Sequence, residues 1–297
     1  MEIKVIMLGT SGSSPTKTRG LPSVAVIYEG EVLLFDCGEG TQTQMLKYGV
    51  NSARMKAMFI SHAHGDHIIG IAGLVRTMAL NGRKNPLTIF VPRGYESVIR
   101  PLLSFDRAML GYDVDIKGIG TGKAYSGKGF EVSSFRLNHT VPTLGYAFKE
   151  NDRRRFLKEK CAKLGIKGTM YSELERKGKI RIGKRAIRIE DVTVPKVGKK
   201  IVYATDTRPV AATVKASKGA DLLIHESSYS DRERKLATER KHSTAAEVAG
   251  IAKRAGVRRL VLTHISARYK DSDVLEKEAR KLFKNTAAAT DGYIITV

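Results

Sequence analysis

Ser61-His62-Ala63-His64-Gly65-Asp66-His67 sets three imidazoles and a carboxylate within six positions, directly after the apolar run Met58-Phe59-Ile60. An extended segment points alternate side chains to one side, so His62 and His64 can address one cation. The turn at Gly65 then carries Asp66 and His67 toward a second. A buried strand feeding such a cluster predicts a sheet with ligand-bearing strand ends. Imidazole with carboxylate suits zinc, with manganese or iron as substitutes, better than calcium or magnesium. A chance run of histidines at a polar strand end is the competing explanation. The density of ligand types in H-x-H-x-D-H makes it a poor one.

A binuclear site needs more donors, each expected at the end of a strand. Asn138-His139 follows Phe135-Arg136-Leu137, Thr205-Asp206-Thr207 follows Lys200-Ile201-Val202-Tyr203-Ala204, and Thr263-His264 follows Leu260-Val261-Leu262. Asp206 can bridge two cations through its two oxygens, which a neutral histidine cannot. Two divalent ions about 3.5–4 Å apart would share a hydroxide and polarise an oxygen of a scissile group. Asp66 would orient that water or accept its proton. Two histidines remain of the seven. His225 ends Asp221-Leu222-Leu223-Ile224 and reads as an orienting or packing residue. His242 precedes Ser243 or Thr244, either of which can cap a helix with Glu247 in its first turn. A histidine there can protonate a leaving alkoxide if Glu226 holds its tautomer.

Strand-like runs at 3–8, 23–28, 31–36, 57–61 and 87–91 alternate with helix-like segments at 40–48 and 67–80. A second series follows at 130–137, 144–149, 200–204, 221–225, 259–263 and 292–297, with helical patterns at 209–218, 242–255 and 273–285. Two such halves imply sheets covered by helices, an α/β fold in one domain over 1–297. Residues 151–198 differ in character. They hold fifteen Lys and Arg against six Asp and Glu with few apolar residues, which reads as an inserted arm that buries little by itself.

The 297 residues carry 52 Lys and Arg against 30 Asp and Glu, a net charge of +22. A polyanionic partner follows, nucleic acid rather than membrane. No apolar stretch has the length of a transmembrane helix, and Met1–Ile6 reads as a strand rather than a signal peptide. Cys37 and Cys161 are too few for a disulfide framework, which fits a reducing cytoplasm.

At these residues the chain resembles the metallo-β-lactamase superfamily and, within it, the tRNase Z family of tRNA 3′-processing endonucleases. The superfamily pattern is His62-x-His64-x-Asp66-His67 with His139, Asp206 and His264. More discriminating are Phe35-Asp36-Cys37-Gly38-Glu39-Gly40-Thr41-Gln42, Ala204-Thr205-Asp206-Thr207-Arg208-Pro209, His225-Glu226-Ser227, His242-Ser243-Thr244 and Thr263-His264-Ile265-Ser266-Ala267-Arg268-Tyr269. Pro15-Thr16-Lys17-x-Arg19 resembles that family's substrate-proximal loop.

The resemblance implies a four-layer αβ/βα sandwich with an inserted basic arm. It implies two zinc ions, one held by His62, His64 and His139, the other by Asp66, His67 and His264, with Asp206 bridging. Asp66, and His242 with Glu226, would be catalytic. Lys17, Arg19, Arg208, Arg268 and, in the arm, Arg153, Arg154, Arg155, Arg176 and Lys177 would contact substrate. The partners implied are precursor tRNA and a second copy of the chain, with no membrane. The family's arm carries a Gly-Pro-rich motif; here Gly165-Ile166-Lys167-Gly168-Thr169-Met170-Tyr171 stands in its place without prolines. Two alternatives remain: a phosphodiesterase of the same fold acting on another nucleic acid or a small phosphodiester, and an RNA-binding protein with a vestigial metal site.

Overall fold

The strand Lys4–Gly9 shows how the layers form. Val5 and Met7 face one apolar cluster while Ile6 and Leu8 face another, so both sides of the strand are buried. The same split places Leu33 and Phe35 opposite Val32 and Leu34, and Leu222 and Ile224 opposite Leu223. A computed structural model describes residues 2–297, apart from the side chains of 105–109.

Residues 1–148 and 200–297 make one compact unit. Its first sheet runs in the order Ile294–Thr296, Lys4–Gly9, Ser23–Tyr28, Glu31–Phe35, Met55–Phe59, Leu87–Pro92, Val114–Ile119. Its second runs Thr286–Ala288, Leu260–Thr263, Leu222–Glu226, Lys200–Ala204, Leu144–Glu150, Phe130–Arg136, Gly122–Gly127. One cluster joins the sheets face to face, with Phe35, Phe59 and Phe90 of the first meeting Phe130, Tyr146, Phe148 and Tyr203 of the second. The outer face of the first sheet is covered by Met45 of helix Thr41–Lys47 and by Ile71, Leu74, Val75 and Met78 of helix Gly70–Leu80. The outer face of the second is covered by Val248, Ile251 and Ala252 of helix Ala245–Ala255 and Leu275 of Asp273–Arg280. The result is the expected helix–sheet–sheet–helix sandwich.

The halves are not independent in sequence. The last strand returns to pair with the first, Lys4 opposite Thr296 and Ile6 opposite Ile294. Strands at 114–119 and 122–127, absent from the sequence expectation, lie at the outer edges of the two sheets. Their half-exposed, Gly-containing sequences carry little apolar signal. Four parallel strands in each sheet end toward loops that hold polar residues, the usual location of ligand sites in open α/β sheets.

Residues 149–199 form a second compact unit. Arg153–Phe156 pairs antiparallel with Thr193–Lys196, and Lys179–Ile182 with Arg185–Arg188. The expectation that this segment buries little is corrected here. Cys161, Ile166, Leu174, Ile180, Ile187 and Val192 are all buried in a small core of their own, with Phe156, Leu164 and Met170 packed against it. The apolar residues that make this core run from Phe156 to Val192, set apart by a hairpin and short helices, so no local window reveals them. Helix Met170–Lys177 ends on Gly178 in the left-handed conformation, which stops it just before the hairpin Lys179–Arg188.

Candidate metal centre

Four histidines of the cluster have one ring nitrogen already committed. His67 Nδ1 lies 2.8 Å from Asp36 Oδ2, His62 Nδ1 2.9 Å from Ser61 Oγ, and His139 Nδ1 3.2 Å from the Lys241 carbonyl. His264 Nδ1 lies 3.0 Å from Ser228 Oγ, whose own hydroxyl donates to Glu226 Oε2 at 2.9 Å. With Nδ1–H donating in each case, the four rings present Nε2 as a lone pair.

Those lone pairs converge on Asp206. Its Oδ2 is 3.7 Å from the Nε2 atoms of both His62 and His139, and its Oδ1 is 3.3 Å and 3.1 Å from those of His67 and His264. Asp66 Oδ2 completes the second group at 3.5 Å from His67 Nε2 and 3.7 Å from His264 Nε2. His64 Nδ1 completes the first at 2.9 Å from His62 Nε2. Two donor groups therefore share Asp206 through different oxygens: His62, His64, His139 and Asp206, beside Asp66, His67 and His264.

The cluster fits divalent cations on two observations. The buried Nε2 atoms of His67 and His264 have no hydrogen-bond partner although carboxylate oxygens stand close by, so they aim past those oxygens. Four ligands placed tetrahedrally at about 2.0–2.1 Å from zinc lie about 3.3–3.4 Å apart, and the Asp66–His67–Asp206–His264 separations bracket that spacing. A buried polar atom without a partner is costly, and a cation removes the cost.

Strand ends supply nearly all of it. Asp36, Asp206 and His264 all have positive φ (57°, 29° and 55°), where the chain turns sharply off a strand. Such conformations disfavour L-residues and persist only where surrounding contacts hold them. Burial alone would raise the Asp206 carboxyl, but His264, His67 and His62 outweigh it and hold it well below the usual carboxylate range. Burial likewise opposes ionisation of Asp66, and the adjacent His264 and His67 rings bring it below that range too. Burial drives His62 and His139 down toward the neutral form. His67 is the exception: despite burial, Asp206 and Asp36 push it up.

His242 stands at the edge of the cluster with Nδ1 2.9 Å from Glu226 Oε1. Burial would strip its proton, but the Glu226 carboxylate raises it to about 9. Glu226 itself, fully buried, is opposed by burial and brought to about 2 chiefly by His242. His225 does not join the group. It is buried with Nδ1 on the Glu226 carbonyl and Nε2 without a partner, so six of the seven histidines converge and one packs. Thr244 is the helix cap, in a box with Glu247.

The expected substrate contacts divide sharply. Lys17 is exposed on a loop, but the Arg19 guanidinium is buried and donates to Thr10 Oγ1, the Ala289 carbonyl and Ser272 Oγ. In that position it anchors the loop and does not face a ligand. Arg208 holds Glu247 and the His242 carbonyl. Arg268 pairs with Glu233 and lies over the Tyr229 ring. In the separate unit, Arg153 meets Glu150, Arg154 meets Glu190, Lys177 meets Glu173, and Arg155 and Arg176 are exposed.

Several residues around the cluster carried no expectation. Asp36 accepts from Ser61 N at 2.7 Å, Ser61 Oγ at 2.9 Å and Tyr203 OH at 2.7 Å besides His67. Ser13 N donates to Asp66 Oδ2 at 2.9 Å. Gly12 packs so closely that a Cβ there would lie 2.5 Å from the His264 ring. Asp36 obeys the same strand-end rule as Asp206 and was legible by it; the loop contacts of Gly12 and Ser13 were not.

A two-sheet sandwich covered by helices, with a His and Asp cluster at its strand ends, defines a metallo-β-lactamase-fold hydrolase. Residues 3–156 match the family described as anti-Pycsar protein Apyc1, and residues 177–265 match the beta-lactamase superfamily domain. Ribonuclease Z of Methanosarcina acetivorans is 42% identical, covering 97% of this chain and 96% of its own. Ribonuclease Z of Gemmatimonas aurantiaca is 43% identical, covering 98% and 95%. The crystal structure of human tRNase Z, short form, superposes with a TM-score of 0.72 at 28% identity, covering 98% of each chain. The chain belongs to the ribonuclease Z family.

Proposed function

We propose that this protein is an endoribonuclease that removes the 3′ trailer from precursor tRNA, hydrolysing the phosphodiester after the discriminator nucleotide with two zinc ions. One observation carries the reading: five histidines and two aspartates from distant strand ends meet in two donor groups sharing Asp206, in a chain with full-length ribonuclease Z relatives. His62, His64 and His139 would hold one ion and Asp66, His67 and His264 the other, with Asp206 between them. When bound, such ions polarise the phosphoryl oxygen and acidify the attacking water.

The chain's own groups do the rest. Asp66, ionised and held by Ser13 N–H, takes a proton from the water as its oxygen bonds to phosphorus. The P–O3′ bond breaks, and His242, with Nδ1 fixed on Glu226, gives a proton to the departing O3′. The tRNA then ends in a 3′-hydroxyl and the trailer begins with a phosphate. The net charge of +22 draws the polyanion to the surface, and the residues of 151–198 neutralise its phosphates. In this reading the enzyme works in the cytoplasm as a homodimer, the arm of one copy gripping the tRNA that the other cuts.

Metal content near two ions per chain, with chelator-sensitive cleavage at one position of a trailer-bearing precursor, is the expected result. Cleavage of small phosphodiesters alone would instead indicate a general phosphodiesterase. Metal-free protein that still binds RNA would indicate a binding protein.

A further inference from the structure

The resemblance sets Arg208 among substrate contacts, yet both terminal nitrogens of its guanidinium are engaged by the protein itself. Nη1 donates to Glu247 Oε2 at 2.9 Å and to the His242 carbonyl at 2.5 Å, while Nη2 donates to Glu247 Oε1 at 2.5 Å. Glu247 in turn accepts from Thr244 N at 3.0 Å, so the pair grips both sides of the turn that carries His242. The backbone before that turn is constrained as well, since Lys241 has φ 55°. Two further bonds stitch this turn to the one after Asp206. Ser243 Oγ donates to the Thr207 carbonyl at 2.6 Å, and Thr207 N donates to Glu226 Oε1 at 2.8 Å. That is the same oxygen that receives His242 Nδ1.

We propose that the Arg208–Glu247 pair is a positioning device for His242, fixing its backbone so that the imidazole meets the departing oxygen, and that Arg208 does not bind substrate. The proposal rests on the reading of His242 as proton donor. The guanidinium fork satisfies a carboxylate and a carbonyl together, geometry that a lysine ammonium cannot reproduce. A donor displaced by a fraction of an ångström loses its effect only where the leaving group needs a proton. The signature is therefore dependence on the leaving group.

The test compares a precursor tRNA with its native 3′-oxygen at the scissile bond and one with a 3′-bridging sulfur, whose thiolate departs without a proton. Arg208→Lys is expected to lower kcat on the oxygen substrate by roughly 10–100-fold, part of the usual general-acid contribution. Its KM should be unchanged, and the sulfur substrate should be cut as by the unaltered enzyme. His242→Ala should show the same pattern, more deeply. Thr238→Ala, which removes an exposed hydroxyl contact to the Arg234 carbonyl and leaves the clamp, should show none. In the zinc-loaded protein, the proton resonance of the His242–Glu226 hydrogen bond should shift in Arg208→Lys and stay in Thr238→Ala. A raised KM on both substrates would make Arg208 a substrate contact, and equal kcat losses on both would make it merely structural; either overturns the proposal. If His242→Ala loses both substrates equally, the donor reading falls and the clamp with it. If His242→Ala shows the pattern and Arg208→Lys does not, the clamp alone falls.

Discussion

Asp36 Oδ2 receives the Nδ1–H of His67 at 2.8 Å and the Tyr203 hydroxyl at 2.7 Å. Asp36 follows a strand of the first sheet and Tyr203 lies in a strand of the second, so one carboxylate ties both sheets together beneath the donor cluster. It also holds His67 in the tautomer that turns Nε2 toward Asp206. Replacing it with Asn keeps the shape and removes the charge. Asp36→Asn should weaken metal binding by about 10–100-fold, read by competition with a chelator. Unchanged affinity would remove Asp36 from this role.

Asp66→Ala and His64→Ala each delete one donor from a group that has few to spare. Both should abolish cleavage while tRNA binding survives, since neither lies in the basic segment. Turnover at the unaltered rate in either variant, measured on a trailer-bearing precursor, would sink the metal-centre assignment.

Glu226 sets the pH range over which His242 carries its proton. Burial opposes that proton and the carboxylate outweighs burial, bringing His242 to about 9. Activity that needs the proton is present below that pKa and is lost as pH rises through it. Glu226→Gln removes the raising charge while burial remains, so the basic limb of the kcat profile should move to lower pH. A limb that stays in place would mean that another group titrates there.

Residues 149–199 have their own core, so their removal need not unravel the sandwich. Deleting 151–198 should weaken tRNA binding and flatten the salt dependence of affinity, because fewer phosphates are neutralised. The slope of log affinity against log salt is the measurement, and an unaltered slope would assign the grip elsewhere.

Gly12 leaves no room for a side chain against His264. Gly12→Ala should lower metal occupancy by displacing that ring, with the far-ultraviolet circular dichroism spectrum unchanged. Full occupancy at the original affinity would show that the loop yields instead.

Much of this architecture can be read locally. Strand-end ligands announce themselves because His62, His64, Asp66 and His67 are crowded into one turn, and because Asp206 and His264 each terminate an apolar run. The edge strands at 114–119 and 122–127 do not, since an edge strand half exposed to solvent needs no continuous apolar pattern. The core of 149–199 escapes for a related reason: its apolar residues come from separate turns and meet only once its two strand pairs form.

The arginines mark the boundary most clearly. As letters, Arg19, Arg208 and Arg268 are interchangeable cations suited to phosphate, and the donor types and strand-end positions of the metal cluster are as much as the chain order determines unaided. Which nitrogen each histidine offers, and whether an arginine faces solvent or a buried carbonyl, depends on partners far along the chain: Ala289 for Arg19, His242 and Glu247 for Arg208, Asp36 for His67. Hydrogen bonds act over about 3 Å, and only the folded backbone brings groups so distant in sequence within that reach.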